Sequence, residues 1–255
     1  MIFAGGLGTR ISEESYLRPK PMVSIGGKPI LWHILKIYSG YGFNDFIICL
    51  GYKGYMIKEY FMNYFIHNSD VTIDVENNKT EIHTSSVESF KVTLVDTGIN
   101  TKTAGRLKRI KKYLNGEKFM LTYGDGLSDI NINELVKFHN NHGKMATVTT
   151  VVPEGKFGSI ITNDNNVVEK FMEKPNDSGS WINAGFFVLE PNVFDYLKSE
   201  MDDVMWEDSP LNDLTEDREL VAYRYNGFWK CMDAIRDRDE LNEIWEKGNI
   251  PWKNW

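Results

Sequence analysis

Short apolar runs alternate with amphipathic segments through the first 150 residues, and this alternation restricts the possible fold more than any other feature of the sequence. Phe46–Leu50 and Phe119–Tyr123 are almost wholly apolar, as expected of strands that are buried on both faces. From Pro29 to Ser39 apolar side chains recur with helical spacing, and Gly40 follows. Strands that alternate with helices predict βαβ units and therefore a mostly parallel sheet with helices on both faces.

The same patterns predict the remaining elements. Further strands are predicted at Met1–Ala4, Val71–Val75, Thr80–Thr84, Val92–Val95, Ala146–Val152, Gly158–Thr162, Val167–Met172 and Asn183–Leu189, the second and third of these as a hairpin across Asn77-Asn78. Further helices are predicted at Lys53–Phe65, Leu107–Leu114, Ile132–His142 and Asp237–Lys247. No linker divides the chain, so a single domain over residues 1–255 is expected. Only four residues precede Gly5, whereas a buried strand usually needs about five. We therefore expect that the first strand has lost a few residues or that the start codon was placed late.

Composition excludes several classes of protein. The chain has 255 residues, of which 42% are hydrophobic and 25% charged, as in an ordinary globular protein. Its uncharged stretches are far shorter than the roughly 20 apolar residues of a membrane span. Cys49 and Cys231 lack the spacing of a disulfide framework or a zinc site. The net charge of −7 argues against nucleic-acid binding. We expect a soluble cytoplasmic protein with neither a nucleic acid nor a membrane as partner.

Positive charge is concentrated in two regions of this acidic chain. Residues 1–30 carry four basic and two acidic side chains, and residues 101–120 carry seven basic side chains against Glu117 alone. Within the second region, Lys108, Arg109, Lys111 and Lys112 are also what the solvated face of a helix would show. Local positive charge therefore indicates an anionic ligand without establishing one.

A glycine loop, Gly5–Arg10, follows the first predicted strand. Such a loop can turn its backbone N–H groups toward an anion. It is neither a Walker loop, because no Gly-Lys-Ser/Thr follows, nor a dinucleotide fingerprint, because Ile11 replaces the third glycine. Arg10 and Lys20 would supply two cations, which suits a triphosphate. The alternative is a tight turn with a surface lysine.

A carboxylate follows the strand at Phe119–Tyr123, in Tyr123-Gly124-Asp125-Gly126. Ligands of open α/β sheets bind at the carboxyl ends of the strands, and a carboxylate there can hold Mg²⁺ beside phosphates. The alternative for Asp125 is a simple Asp-Gly turn. Asp233 ends another short apolar stretch and is a candidate second ligand, although spacing alone does not distinguish it from other acidic residues.

Taken together, the glycine loop, Lys20-Pro21 and the Asp125 motif resemble the signature of the sugar-phosphate nucleotidylyltransferases. The same signature includes Glu173-Lys174-Pro175, Asn183–Phe187 and the late Asp233. Further segments resemble the glucose-1-phosphate cytidylyltransferase branch of that family: Ile11–Glu14, Gly27–His33, Gly51–Tyr55, Val95–Gly98, Trp245–Gly248 and Pro251–Lys253.

The resemblance implies an α/β fold of the nucleotide-diphospho-sugar transferase type, with a Rossmann-like, mostly parallel sheet flanked by helices and small β-rich sugar-binding additions. It implies that CTP and α-D-glucose 1-phosphate react to CDP-glucose and pyrophosphate with Mg²⁺ as cofactor, in a homo-oligomer, a trimer or a hexamer. Two alternatives stay open. One is the same chemistry with dTTP, UTP or another sugar 1-phosphate, and the other is a non-catalytic nucleotide-sugar-binding regulator.

The resemblance also implies roles for individual residues. Arg10, Lys20 and Asp125 are the expected catalytic residues, and Asp125 and Asp233 the expected metal ligands. Nucleotide binding is expected at Phe3, Ala4, Gly5, Gly6, Leu7, Gly8, Thr9, Arg10, Lys20, Thr101, Arg106 and Gly124. Sugar-phosphate binding is expected at Gly158, Glu173, Lys174 and Asn183. Residues 1–150 would form the nucleotide-binding part, and residues 151–255 the sugar-phosphate-binding and C-terminal oligomerisation part. The aromatic tail with Trp252 and Trp255 would pack on its own chain or on a neighbouring subunit.

Overall fold

The structure is a computed structural model, and it describes residues 1–85, 87–153, 159–162, 168–172, 181–198 and 200–255. For residues 85, 159–162 and 168–172 it describes the backbone alone. The described residues contain the following strands: β1 Ile2–Ala4, β2 Ser24–Ile25, β3 Lys28–Pro29, β4 Asp45–Leu50, β5 Ser69–Asp74, β6 Lys79–Ser85, β7 Lys91–Asp96, β8 Phe119–Tyr123, β9 Gly126–Ser128, β10 Ala146–Val151, β11 Ser159–Thr162, β12 Val168–Met172, β13 Ile182–Leu189, β14 Leu220–Tyr225 and β15 Trp229–Cys231. The α-helices of the same residues are α1 Ser12–Ser15, α2 Ile30–Ser39, α3 Gly54–His67, α4 Thr103–Arg109, α5 Ile132–His142, α6 Ser209–Glu216 and α7 Ile235–Glu246.

Seven of the described strands form the central sheet, in the spatial order β14-β10-β13-β8-β1-β4-β7. β13 is antiparallel to its two neighbours, and the other six strands are parallel to one another. The predicted mostly parallel sheet is therefore confirmed. The carboxyl ends of the six parallel strands and the amino end of β13 lie along the same edge, which we call the carboxyl edge.

Helices cover both faces of this sheet, as the alternation of elements predicts. Successive residues of β1 point to opposite faces, which is the period of two that a strand imposes. Ile2 and Ala4 belong to one apolar core with side chains of α2, α5 and α7, and Phe3 belongs to the other core with side chains of α4 and α6. The chain is thus a three-layer α/β structure in which the sheet is buried on both sides.

Smaller two-stranded sheets are added to this framework: β2 with β3, β5 with β6, β9 with β15, and β11 with β12. The antiparallel pair β5 and β6 is the hairpin predicted across Asn77-Asn78. The pair β9 and β15 was not predicted, and neither were β14 and α6. In β14, half-buried side chains alternate with exposed ones at the edge of the sheet, so its apolar pattern is weak.

The predicted helix Leu107–Leu114 is wrong in its boundaries. α4 begins earlier, at Thr103, ends at Arg109, and is followed by a 3₁₀ turn at Lys111–Tyr113. Leu107 and Ile110 are buried, and a spacing of three residues fits an α-helix and a 3₁₀ turn equally well. The apolar pattern therefore does not show where the α-helix ends. Arg109, Lys111 and Lys112 are exposed, as expected of a solvated face.

The aromatic C-terminal tail packs on its own chain. Trp252 is buried, stacks on Phe228, and donates its indole N–H to His33 Nδ1 at 3.3 Å. Trp255 makes an edge-to-face contact with Trp32. The intrachain alternative is therefore the observed one. In the part of the chain that the structure describes, no helix combines the length and the apolar composition that a bilayer span requires.

Candidate active site

The glycine loop and the Asp125 motif lie side by side at the carboxyl edge because β1 and β8 are neighbouring parallel strands. Phe3 is paired with Tyr123, so the chain leaves both strands at the same level. The loop follows β1 directly, and Asp125 follows β8 after one residue. Ligand-binding groups are expected at this edge of an open α/β sheet.

Gly8 gives the loop a conformation that other residues rarely adopt. Its φ is +66°, in the left-handed region. A Cβ at this position would lie 2.3 Å from the hydroxyl oxygen of Ser15, which donates a hydrogen bond of 2.7 Å to the Gly8 carbonyl. The 3₁₀ turn Thr9–Ile11 follows, and it leaves the Arg10 side chain 79% exposed. The Arg10 guanidinium is therefore available to an anion that approaches from solvent.

Arg106 holds the backbone of the glycine loop in place. Its buried guanidinium donates hydrogen bonds to the carbonyl oxygens of Gly5 and Leu50, both at 2.9 Å, and to the Thr97 hydroxyl at 2.7 Å. Burial lowers the pKa of Arg106 from its ordinary value. A Cβ on Gly5 would lie 2.1 Å from the guanidinium, so glycine is needed for this close approach. The guanidinium faces the backbone of the loop, and Arg106 is not among the residues that line the neighbouring pocket.

Lys20 joins the two predicted metal ligands. Its ammonium nitrogen lies 2.7 Å from Asp125 Oδ2 and 2.8 Å from Asp233 Oδ1, and its side chain is 13% exposed. Burial alone would lower the pKa of Lys20, but the carboxylates of Asp125 and Asp233 outweigh this effect and raise it above the ordinary value. Arg10 adds a longer contact of 3.4 Å to Asp233. Sequence reasoning named all four residues, and the structure brings them together.

Local backbone pairing explains how Asp233 reaches Asp125 across more than a hundred residues. β15 is antiparallel to β9, with Cys231 opposite Gly126. The amide of Met232 then donates to the Asp125 carbonyl at 2.9 Å. Beyond this contact, the Asp237 carboxylate accepts the amide N–H of Asp233 at 2.9 Å and so fixes the turn.

Asp125, Cys231 and Asp233 each offer a possible metal-ligand atom, and these atoms lie within 4.8 Å of one another. Burial and the neighbouring Asp125 carboxylate raise the pKa of the Cys231 thiol, so it stays protonated at neutral pH. The two carboxylates are thus the donors, and carboxylate oxygens suit a hard divalent cation such as Mg²⁺. The residues present fit such an ion.

A pocket of about 160 Å³ opens beside this cluster. It is lined by Phe3, Ala4, Gly6, Gly8, Lys20, Pro21, Thr103, Tyr123, Gly124 and Asp125. The rings of Phe3 and Tyr123 stack at 5.9 Å and form one wall. Seven of the lining residues (Phe3, Ala4, Gly6, Gly8, Lys20, Gly124 and Asp125) were predicted as site residues from the sequence.

Other predicted site residues lie elsewhere. Thr101 is buried and is not among the residues that line this pocket. Gly158, Glu173 and Lys174 lie outside the described residues. Asn183, at the start of β13, is exposed, and its amide nitrogen lies 3.3 Å from the Tyr123 hydroxyl.

Four residues at or next to the pocket were not predicted as site residues, and the first of them, Pro21, stands in the Lys20-Pro21 motif. Thr103 and Tyr123 also line the pocket, and the Glu207 carboxylate accepts hydrogen bonds from both hydroxyls. Tyr123 stands in the motif that singled out Asp125, and Thr103 stands two residues from Thr101. No motif marks Glu207, which the fold brings to Tyr123 across 84 residues.

A family model for nucleotidyl transferases matches residues 1–230 of this chain. The chain belongs to the nucleotidyl transferase family. The resemblance found in the glycine loop and the Asp125 motif is thereby confirmed. This nucleotidyl transferase is therefore an enzyme of the class that the sequence predicted.

Curated relatives match the whole chain. The glucose-1-phosphate cytidylyltransferase of Salmonella typhimurium is 52% identical over 256 residues, covering 100% of this chain and 98% of the relative. The probable glucose-1-phosphate cytidylyltransferase of Bacillus subtilis is 45% identical, covering 100% of this chain and 99% of the relative.

Solved structures share the fold at low sequence identity. A UDP-glucose pyrophosphorylase complexed with UDP-glucose superposes with a TM-score of 0.69 at 18% identity, covering 97% of each chain. The CTP:phosphocholine cytidylyltransferase of Streptococcus pneumoniae gives a TM-score of 0.61 at 18% identity, covering 96% of this chain and 97% of that one. The predicted nucleotide-diphospho-sugar transferase fold is confirmed by these neighbours.

Proposed function

We propose that this nucleotidyl transferase transfers a cytidylyl group from CTP to α-D-glucose 1-phosphate and releases CDP-glucose and pyrophosphate. The observation that carries the proposal is the 52% identity with a glucose-1-phosphate cytidylyltransferase over the full length of this chain. The cationic glycine loop beside paired carboxylates supports it, because both substrates are phosphate anions.

The nucleophile in this reaction is the phosphate group of the sugar. A sugar phosphate has a second pKa of about 6, by analogy with phosphoserine, and is already mostly dianionic at pH 7. A general base is therefore not required, and no residue is assigned that role. One phosphate oxygen forms a bond to the α-phosphorus of CTP while the bond from that phosphorus to the β-phosphate oxygen breaks. Pyrophosphate leaves with the electron pair of the broken bond.

The difficulty of this reaction is to bring one anion onto another in line with the leaving group. Arg10 and Lys20 would screen the repulsion and stabilise the charge that develops on pyrophosphate. The amide groups of the glycine loop would hold the phosphates close, since the glycines carry no side chain that hinders approach. We propose the nucleotide-binding and sugar-phosphate-binding residues given by the resemblance, with Arg106 acting through the Gly5 carbonyl.

We further propose Mg²⁺ as the cofactor, with Asp125 and Asp233 as the residues that hold it. When bound, the ion would supply positive charge to the phosphate groups. Asp237 would keep the Asp233 backbone in place, and the Met232 amide would do the same for the backbone of Asp125. Lys20 contacts both carboxylates, and Arg10 links the glycine loop to Asp233.

The organisation of the chain enters the proposal as well. Residues 1–150 would bind the nucleotide, and residues 151–255 would bind the sugar phosphate and form contacts between subunits. A homo-oligomer, trimer or hexamer, follows from the resemblance, and elution as a monomer in sizing chromatography would contradict it. A cytoplasmic location agrees with the two unpaired cysteines, Cys49 and Cys231.

The two alternatives differ from this proposal in ways that one assay separates. A different nucleotide or sugar phosphate would leave the chemistry unchanged, whereas a non-catalytic regulator would bind without turnover. The joint presence of Arg10, Lys20, Asp125 and Asp233 in one cluster favours turnover. Pyrophosphate release should be measured with CTP, dTTP and UTP, each with several sugar 1-phosphates. CTP with α-D-glucose 1-phosphate should be the preferred pair, and EDTA should abolish its conversion. Activity that survives EDTA would contradict the metal assignment.

A further inference from the structure

Glu207 is a half-buried carboxylate that accepts hydrogen bonds through both of its oxygens. The Thr103 hydroxyl donates to Oε2 at 2.9 Å, and the Tyr123 hydroxyl donates to Oε1. Both donors line the pocket that also contains Lys20 and Asp125, whereas Glu207 is not among the lining residues. Glu207 therefore lies outside the pocket lining and contacts two of the residues that form it, Thr103 and Tyr123.

The direction of each hydrogen bond in this network can be assigned. Thr103 Oγ1 accepts the amide N–H of Trp206 at 2.7 Å, and its own proton is directed toward Glu207 Oε2 at 2.9 Å, which is a closer and stronger acceptor than Met205 Sδ at 3.8 Å. The Tyr123 proton is likewise committed to Glu207, and its oxygen accepts from Asn183 Nδ2 at 3.3 Å. An acceptor of two hydroxyl protons is satisfied by an ionised carboxylate and by no neutral side chain of the same size.

Asn183 is exposed and extends the network from Tyr123 toward solvent, although it is not among the residues that line the pocket. Its Oδ1 accepts from the Gly185 amide at 2.8 Å, which fixes the orientation of the side-chain amide. An amide nitrogen carries two N–H groups. With one directed at Tyr123, the other can serve a ligand hydroxyl at this exposed position, and hydroxyls are what a hexose offers.

We propose that Glu207 is a positioning residue of the sugar-phosphate subsite, which it orients through Tyr123 and Asn183. Thr103 anchors Glu207 itself, so the two oxygens of one carboxylate hold the pocket wall in a single arrangement. The inference rests on the proposed function, since that proposal assigns the sugar to Asn183.

Glu207→Gln tests this role at nearly constant size. The oxygen of a carboxamide can accept one of the two hydroxyl protons. Its nitrogen presents an N–H group to the other hydroxyl, so the proton of that hydroxyl must turn away. The KM for α-D-glucose 1-phosphate should rise about tenfold, as expected when a hydrogen bond to a charged acceptor is lost. The KM for CTP should change by less than about twofold on the same reasoning.

Tyr123→Phe removes the hydroxyl that donates to Glu207. The double variant of Glu207→Gln with Tyr123→Phe then measures the coupling between the two residues. If Glu207 acts through Tyr123, the double variant should raise the KM for the sugar phosphate no more than Tyr123→Phe alone. Asp208→Asn is the matched control, because it removes one negative charge at the adjacent exposed residue and keeps a good helix N-cap. It should leave both KM values unchanged. Tyr123→Phe carries the test by itself if Glu207→Gln does not fold.

The outcomes separate the two proposals. Wild-type protein that converts no pair of nucleotide and sugar 1-phosphate would overturn the proposed function. Active wild type would overturn only the role of Glu207 if the KM for the sugar phosphate were unchanged in Glu207→Gln. The role of Glu207 would also be overturned if the effects of Glu207→Gln and Tyr123→Phe on the KM for the sugar phosphate multiplied in the double variant. A change confined to the KM for CTP would overturn it too.

Discussion

Replacement of Arg106 by methionine should destabilise the protein strongly, although the new side chain is apolar and of similar length. The change removes three hydrogen bonds of 2.7–2.9 Å, which end on the Gly5 carbonyl, the Leu50 carbonyl and the Thr97 hydroxyl. Arg106 is only 4% exposed, so water cannot replace the lost donor. The three oxygens would remain buried without this partner.

The magnitude follows from two opposing terms. Hydrogen bonds from a charged donor each contribute about 1.5–3 kcal/mol, so three would give roughly 4.5–9 kcal/mol. Removing the guanidinium also relieves the cost of burying a charge, which is several kcal/mol. The net loss in the free energy of unfolding should be about 3–4 kcal/mol, less than the sum of the three hydrogen bonds because the cost of burying the guanidinium is recovered. For a chain of this size that corresponds to a decrease in Tm of roughly 6–16 °C.

Arg109→Met is the matched control on the same helix. Arg109 forms a surface ion pair with Asp202 at 2.6 Å and donates a hydrogen bond of 2.8 Å to the Thr97 carbonyl. Because its side chain is 42% exposed, water can replace much of what these contacts contribute. Their loss should cost about 1 kcal/mol, or roughly 2–4 °C in Tm. Thermal unfolding monitored by circular dichroism measures both variants without any ligand. Equal shifts for the two arginines, or a shift of less than about 3 °C for Arg106→Met, would refute the structural role assigned to Arg106.

Three further predictions concern the catalytic cluster, the pH dependence of stability and the C-terminal tail. Asp125→Asn, Lys20→Ala and Arg10→Ala should each lower turnover by about 10²-fold or more, because each removes a preorganised charge, and near-wild-type pyrophosphate release in all three would contradict the site. Burial lowers the pKa of His33 to about 4. Because the unfolded chain takes up this proton near pH 6.5, the free energy of unfolding should fall by about 3 kcal/mol as the pH drops from 6.5 to 4, and then level off. Urea unfolding of the wild type against His33→Gln isolates this contribution, and equal pH slopes would argue against it. Trp252→Ala should cost about 3–5 kcal/mol in the same assay, since Trp252 is buried against Phe228, whereas Trp255→Ala at the partly exposed end should cost less.

Features that depend on neighbouring residues could be predicted from the sequence. The strand Phe119–Tyr123 has the predicted bounds, and Phe46–Leu50 differs from β4 by one residue. The glycine loop follows from Gly8 and its neighbours, whose lack of side chains is visible in the sequence. The alternation of strands and helices predicts the carboxyl edge, and Asp125 lies there around the same pocket as the glycine loop.

Features that depend on the topology could not be predicted in the same way. Lys20 contacts Asp233 across 213 residues, and only the family resemblance singled out Asp233. The network around Glu207 joins four separate segments, so no local pattern contains it. Arg106 stands in a run of basic residues of which Lys108 is half-buried and the others are exposed. Its own burial follows from the packing of α4 against β4 and the loop.

The identity of the transferred group is tested most directly by ³¹P NMR of the reaction products. Purified protein should be incubated with CTP, α-D-glucose 1-phosphate and MgCl₂, with parallel samples containing dTTP or UTP. We expect the CTP signals to be replaced by pyrophosphate and by the two coupled signals of a diphosphate diester, with dTTP and UTP largely unchanged. Conversion of dTTP or UTP while CTP persists, or hydrolysis of CTP without any diphosphate diester, would contradict cytidylyl transfer to the sugar phosphate.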